Sequence, residues 1–208
     1  NTSLGNSAMG DNTTGSNNTS IGYQALTANS TASHSVAVGS QSLKANTTGT
    51  NNTGVGYASL FSNTTASENT GLGFASLYSN TTGIQNVALG VYSLYPQTTG
   101  YHNVAVGYNS GGGMTTGTAN TIVGHRALQG NTTASYNTAI GYNAGYSNVT
   151  GTYNAFIGNS AGYYTTGTRN TFLGSDAGGL MTTGSNNIII GRYNGNQHGL
   201  DLRTTSNN

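Results

Sequence analysis

The chain has 208 residues, four acidic and five basic side chains, a net charge of +1 and no cysteine. Charged residues make up 4% of it, against about 25% in ordinary globular domains. This balance gives no electrostatic footprint for nucleic acid or an anionic membrane surface, and it excludes disulfides and thiolate metal sites. No run of about 18 apolar residues occurs, so no segment has the length and apolarity of a membrane-crossing helix.

The first element is a short strand followed by glycine, and the rest of the chain repeats it. Units begin at Asn1, Asn18, Ser35, Asn52, Asn69, Asn86, Asn103, Asn120, Asn137, Asn154, Asn170 and Asn187. The step is 17 residues, with one step of 16 between Asn154 and Asn170. Position 4 of each unit is aliphatic, from Leu4, Ile21 and Val38 to Leu173 and Ile190, and position 5 is always glycine. A fixed period of this size marks a solenoid. A unit this short cannot hold a strand, a helix and two connections, and no unit carries a 3.6-residue apolar period. The sequence therefore predicts an all-β fold, a β-solenoid (β-roll) of twelve coils with about 17 residues per coil. Stacked at strand spacing, the coils extend roughly 55–60 Å.

Within a unit, positions 1–4 read as a strand, such as Asn137-Thr138-Ala139-Ile140. The glycine at 5 suits a corner with positive φ or a close approach of the next coil. Positions 6–9, such as Tyr57-Ala58-Ser59-Leu60, form a second side, and the Asn-Thr-Thr-Gly type sequence at 12–15 is turn chemistry. Asn at position 1 is expected to stack as an amide ladder. The aliphatic side chains at 4 and 9 are expected to form a thin internal core. Because alternate residues of a strand face opposite sides, position 3 is then expected to face out. It is nonetheless small or apolar, at Ala37, Ala88, Ala105, Ile122, Ala139, Phe156, Phe172 and Ile189. These eight residues are read as the interface of a parallel homotrimer. The alternative is a wide coil that buries both faces of one strand.

The first half of the chain, Asn1–Gly100, keeps Met9, Leu26, Leu43, Leu60, Leu77 and Leu94 at position 9. From Asn103 onward that position is Gly111, Gly145, Gly162, Gly178 and Gly195, with Leu128 the exception, while position 3 enlarges. Volume compensation is expected, with Phe156 and Phe172 filling the space that leucine fills earlier. The repeat domain is assigned to 1–192. The tail, 193–208, with Leu200, Asp201, Leu202 and Arg203, is read as a lead-in to a further domain, with a cap over the last coil as the alternative. The chain opens in phase with the repeat, as a segment of a longer polypeptide would.

The units Asn-Thr-Ala-Ile-Gly-Tyr and Asn-Val-Ala-Val-Gly-Tyr resemble the head repeats of trimeric autotransporter adhesins, which wind into a left-handed β-roll with three chains side by side. They also resemble the Asn/Thr/Gly-rich repeats of phage tail-fibre proteins. The resemblance covers Asn1 to about Arg192; the autotransporter unit is shorter, and the extra residues here enlarge the loop around positions 10–14. It implies a structural or adhesive extracellular fibre segment, the shaft or head of an adhesin or tail fibre, at a cell surface or on a virion. Such a segment acts by rigid multivalent display.

No constellation suggests catalysis. Asp11, Glu68, Asp176 and Asp201 lie several coils apart, and His34 and His102 are separated by four coils, about 19 Å at strand spacing. The expectation is no enzyme, no cofactor and no metal site. The partners expected are other copies of the chain, as homotrimer or filament, and cell-surface carbohydrate, without nucleic acid or membrane insertion. Asn-x-Thr recurs at Asn12, Asn29, Asn46, Asn63, Asn80, Asn131 and Asn148. These positions match glycosylation acceptors, which makes the scaffold of a glycan-coated filament the alternative function. Asn-Thr-Thr is equally good turn and ladder chemistry. Ice binding is a third reading, opposed by adjacent pairs such as Thr47-Thr48 that point to opposite faces. The aromatic residues at positions 6 and 10 are expected to stack as ladders that shield the coil edges, in preference to binding sugars.

Overall fold

A computed structural model of the chain describes residues 1–197, 200–201 and 206. The chain divides into two compact units, Asn1–His102 and Asn103–Asn208. Each is a parallel β-solenoid with one three-residue strand per coil, and no helix occurs among the described residues. The first unit holds β1 (Thr2–Leu4), β2 (Thr19–Ile21), β3 (Val36–Val38), β4 (Thr53–Val55), β5 (Thr70–Leu72) and β6 (Val87–Leu89). The second holds β7 (Val104–Val106), β8 (Thr121–Val123), β9 (Thr138–Ile140), β10 (Ala155–Ile157), β11 (Thr171–Leu173) and β12 (Ile188–Ile190). Like positions pair with like, as in Gly54↔Gly71 of β4 and β5 or Phe156↔Phe172 of β10 and β11.

The strand stops where the sequence predicts, at the glycine of position 5. Gly56 has φ +125°, and a Cβ there would lie 2.6 Å from the Gly73 carbonyl oxygen of the next coil. Both the conformation and the close approach therefore demand glycine. Positions 7 and 9 then adopt left-handed backbone with ordinary side chains, for example Ala58 (φ 52°) and Leu60 (φ 54°). Left-handed backbone costs an L-residue about 1–2 kcal/mol. Full burial of Leu60 returns about 1.5–3 kcal/mol, and its N–H donates to Ser76 O at 2.9 Å. The strained path is thus held by what it buries. Backbone bonds link each coil to the next in one recurring pattern, as in Thr70 N–H to Asn86 O and Gly73 N–H to Val55 O, both 2.8 Å.

The sidedness of the strand is the reverse of the expectation. Position 3 points into the coil and positions 2 and 4 point out. Ala37, Ala88, Ala105, Ile122, Ala139, Phe156 and Phe172 are fully buried within the chain and Ile189 is 5% exposed, whereas Leu4, Leu72 and Ile190 are 68%, 47% and 74% exposed. The eight position-3 residues therefore cannot form an oligomer interface, because their own coils enclose them. The core consists of positions 3 and 9 with the small residues of position 8. Ser59 Oγ donates to Gly71 O at 2.9 Å, and a Cβ on Gly71 would sit 2.5 Å from that hydroxyl oxygen. Glycine at position 3 of β5 makes room for serine.

Volume compensation holds in the second unit. A Cβ added at Gly145 would lie 2.6 Å from Phe156 Cδ2, and one added at Gly162 would lie 2.5 Å from Phe156 Cε1. Phe172 occupies the corresponding place against Gly178. The 16-residue coil loses its residue in the turn: Asn154 Nδ2 donates to Gly167 O at 2.9 Å, a span of 13 residues where other coils span 14. Beyond β12, β13 (Asn196–Gln197) and β14 (Leu200–Asp201) pair antiparallel. Ser185 N–H then donates to Ser206 Oγ at 3.1 Å, as Thr168 N–H does to Ser185 Oγ one coil earlier. Ser206 thus takes the place of position 16. Leu202 and Arg203 lie outside the described residues.

Candidate functional surface

An amide ladder at position 1 lies in the interior of both units, and shorter amide runs at position 12 lie in the first. At position 1, Asn69 N–H donates to Asn52 Oδ1 at 3.0 Å while Asn69 Nδ2 donates to Gly83 O of its own coil at 2.8 Å. Position 12 forms the shorter runs. Asn63 Nδ2 donates to Asn46 Oδ1 at 2.8 Å and to Ala66 O at 2.9 Å, and Asn80 Nδ2 continues to Asn63 Oδ1 at 2.9 Å. This corrects the glycosylation expectation. Asn29, Asn46, Asn63, Asn80, Asn131 and Asn148 are fully buried, and Asn12, in the first coil, is half-buried with its Nδ2 on Gly15 O. An amide nitrogen enclosed by neighbouring coils has no room for a sugar.

The titratable side chains are dispersed on the outside. Glu68, Gln85 and His102 share position 17 of successive coils and are linked in a row: Gln85 Nε2 donates to Glu68 Oε2 at 2.7 Å, and Gln85 Oε1 contacts His102 Nε2. His34 Nε2 meets Asn17 Nδ2 at 3.2 Å, and His125 is stacked between Tyr108 and Tyr142. Among the described residues no cavity occurs and no three His, Asp or Glu side chains gather as metal ligands. Asp11 and Asp176 lie far apart in sequence, in different units, and the Asp201 side chain is outside the described set.

The outer face of each sheet carries two ranks of side chains. Position 4 is aliphatic in every coil, and position 2 is Thr or Val in all but Ala155 and Ile188. No ionisable group occurs in either rank. Pairs such as Thr53/Val55, Thr70/Leu72 and Thr121/Val123 therefore project together from one face. The threonines of the turn are differently used, since the Oγ of Thr47, Thr64 and Thr81 each donates to the carbonyl of the next coil at 3.1–3.2 Å.

Aromatic side chains form the remaining surface. Parallel in-register stacking holds like positions about 4.8 Å apart, which is near the separation at which rings stack. Position 10 stacks Phe61 on Tyr78 and Tyr78 on Tyr95, and position 6 stacks Tyr57 on Phe74. Tyr92 bridges the two ladders, edge-on to Phe74 and Tyr95 at 5.4 and 5.3 Å. In the second unit Tyr146 stacks on Tyr163, and burial with the neighbouring Tyr146 and Tyr164 hydroxyls raises the Tyr163 phenol above its ordinary pKa. Stacked rings cover one another's faces, so the ladders offer mainly ring edges to solvent. This is the shielding arrangement expected from the sequence.

No family description, curated protein or solved structure matches the chain. What the surface can do follows from its own chemistry. It presents an uncharged sheet face of threonine and aliphatic side chains, and aromatic edges, repeated coil by coil.

Proposed function

We propose that the chain is a structural segment of an extracellular fibre, of adhesin or tail-fibre type, that associates with parallel copies of itself and displays its repeated side chains multivalently. The observation that carries this reading is the outward aliphatic rank at position 4 within each unit, Leu4 and Leu72 in the first and Leu173 and Ile190 in the second, on a face without charge. A solvated face would alternate toward polar residues, and a contiguous apolar strip of this kind marks an interaction surface. Recurring coil-to-coil backbone bonds and interior amide ladders favour stiffness over chemistry. A homotrimer uses positions 2 and 4 as its interface in this reading, and cell-surface carbohydrate is a partner for the displayed edges.

A specific feature favours ice binding as a second reading. Thr at position 2 and an aliphatic at position 4 share one outward face, which the turn threonines do not. Light scattering separates the two. The fibre reading expects a mass near three times the 21.1 kDa chain, lowered to one chain in Val55→Asp/Leu72→Asp. A monodisperse, folded monomer refutes self-association, and thermal hysteresis in that monomer establishes the ice reading.

A further inference from the structure

A chain without cysteine has no disulfide with which to fasten its coils. It has 14 tyrosines, and the repeat puts several on successive coils at the same position. Tyr136 and Tyr153, more than half exposed, stack with ring centroids 4.9 Å apart and planes 5° from parallel. Tyr146 and Tyr163 stack at 4.9 Å and 9°, and Tyr78 and Tyr95 at 5.2 Å and 20°. Each pair joins residues 17 apart in sequence, one on each of two neighbouring coils. Tyr23 and Tyr57 have no tyrosine at the same position of a neighbouring coil. Tyr23 lies between Asn6 and Ser40 at position 6, and Tyr57 stacks on Phe74, which has no phenol.

We propose that Tyr78–Tyr95, Tyr136–Tyr153 and Tyr146–Tyr163 are sites of oxidative tyrosine coupling, by which a haem peroxidase and hydrogen peroxide staple one coil to the next. Each phenol gives up one electron and its hydroxyl proton. The two phenoxyl radicals combine through a carbon ortho to each oxygen, and the displaced ring protons return to the phenolic oxygens. One peroxide, taking two electrons and two protons, becomes two waters, so each link removes two hydrogens from the chain. The stack holds the two radicals together at an effective concentration that a second molecule in dilute solution cannot match. Turning one ring about its side-chain bonds, with Tyr95, Tyr136 and Tyr153 exposed and Tyr146 and Tyr163 half-buried, brings the ortho carbons together. The link closes a 17-residue loop in the unfolded chain, the same device by which a disulfide stabilises.

The inference depends on the stack alone and not on the fibre reading. Its test is treatment of the dilute folded chain with peroxidase and hydrogen peroxide, followed by digestion and mass spectrometry, with the urea-unfolded chain as comparison. The expected result is links at the three pairs, each two hydrogens lighter, with Tyr23 and Tyr57 unmodified and a higher unfolding temperature. Tyr153→Phe keeps the stacked ring and removes only the Tyr136 link. The proposal is overturned if the folded chain forms no dityrosine while free N-acetyltyrosine amide does. It is equally overturned if Tyr23 and Tyr57 couple as often as the stacked pairs, or if the links join separate chains.

Discussion

Replacing Phe156 by alanine removes the largest side chain inside its coil, a ring with no exposed surface. Truncation of a buried phenylalanine costs about 3–5 kcal/mol. Gly162→Leu alone drives a side chain into space the ring already fills, since even a Cβ there meets Phe156 Cε1 at 2.5 Å. Overpacking costs about 1–3 kcal/mol, and leucine in left-handed backbone costs about 1–2 kcal/mol more. The double variant restores the pairing of small residue at 3 with leucine at 9 that Ala88 and Leu94 use, and Leu94 sits at φ 50° against 62° for Gly162. It should therefore be less destabilised than the two single losses added together, by a coupling of about 2–3 kcal/mol. Urea unfolding followed by circular dichroism of the four chains measures this. If the double variant is as unstable as the two single losses added together, positions 3 and 9 do not share one space.

Two further outcomes follow from the interior. Gly71→Ala should lower the unfolding midpoint, because its Cβ would press on Ser59 Oγ at 2.5 Å, and adding Ser59→Ala should restore much of it, as read by thermal melts. Asn63→Ala should destabilise by about 1–3 kcal/mol per buried polar group left unpaired, since Asn46 Oδ1 and Ala66 O both lose a donor; amide hydrogen exchange should show the loss concentrated in the adjacent coils.

Much of the architecture was legible because a parallel stack repeats its local requirements. The period, the glycine at 5, the amide ladder at 1 and the stacked aromatics each follow from one residue type at one position. The sidedness of the strand differs from the expectation because apolar side chains are not confined to the interior, and more than half of a protein's exposed surface is apolar. The contrary signal was present. Phe156 and Phe172 enlarge where position 9 becomes Gly162 and Gly178, and such compensation requires positions 3 and 9 to face the same interior. Likewise Met114 and Met181 stand where other units carry the Asn of position 12, and methionine in a supposed exposed turn points to burial. The hold of Ser206 on Ser185 was also foreshadowed. Thr204-Thr205-Ser206-Asn207-Asn208 matches Thr182-Thr183-Gly184-Ser185-Asn186-Asn187 with the glycine missing.

The central claim is that position 3 lies inside each coil and that the ranks at 2 and 4 lie outside, where we propose that copies of the chain meet. Electron cryomicroscopy of the native particle at side-chain resolution tests it most directly. The account predicts the Phe156 and Phe172 rings enclosed by their own coils beside Gly162 and Gly178, with Val55, Leu72 and Leu89 between neighbouring chains. Phenylalanine rings lying between chains, with the position-4 aliphatics packed inside the coil, would contradict it.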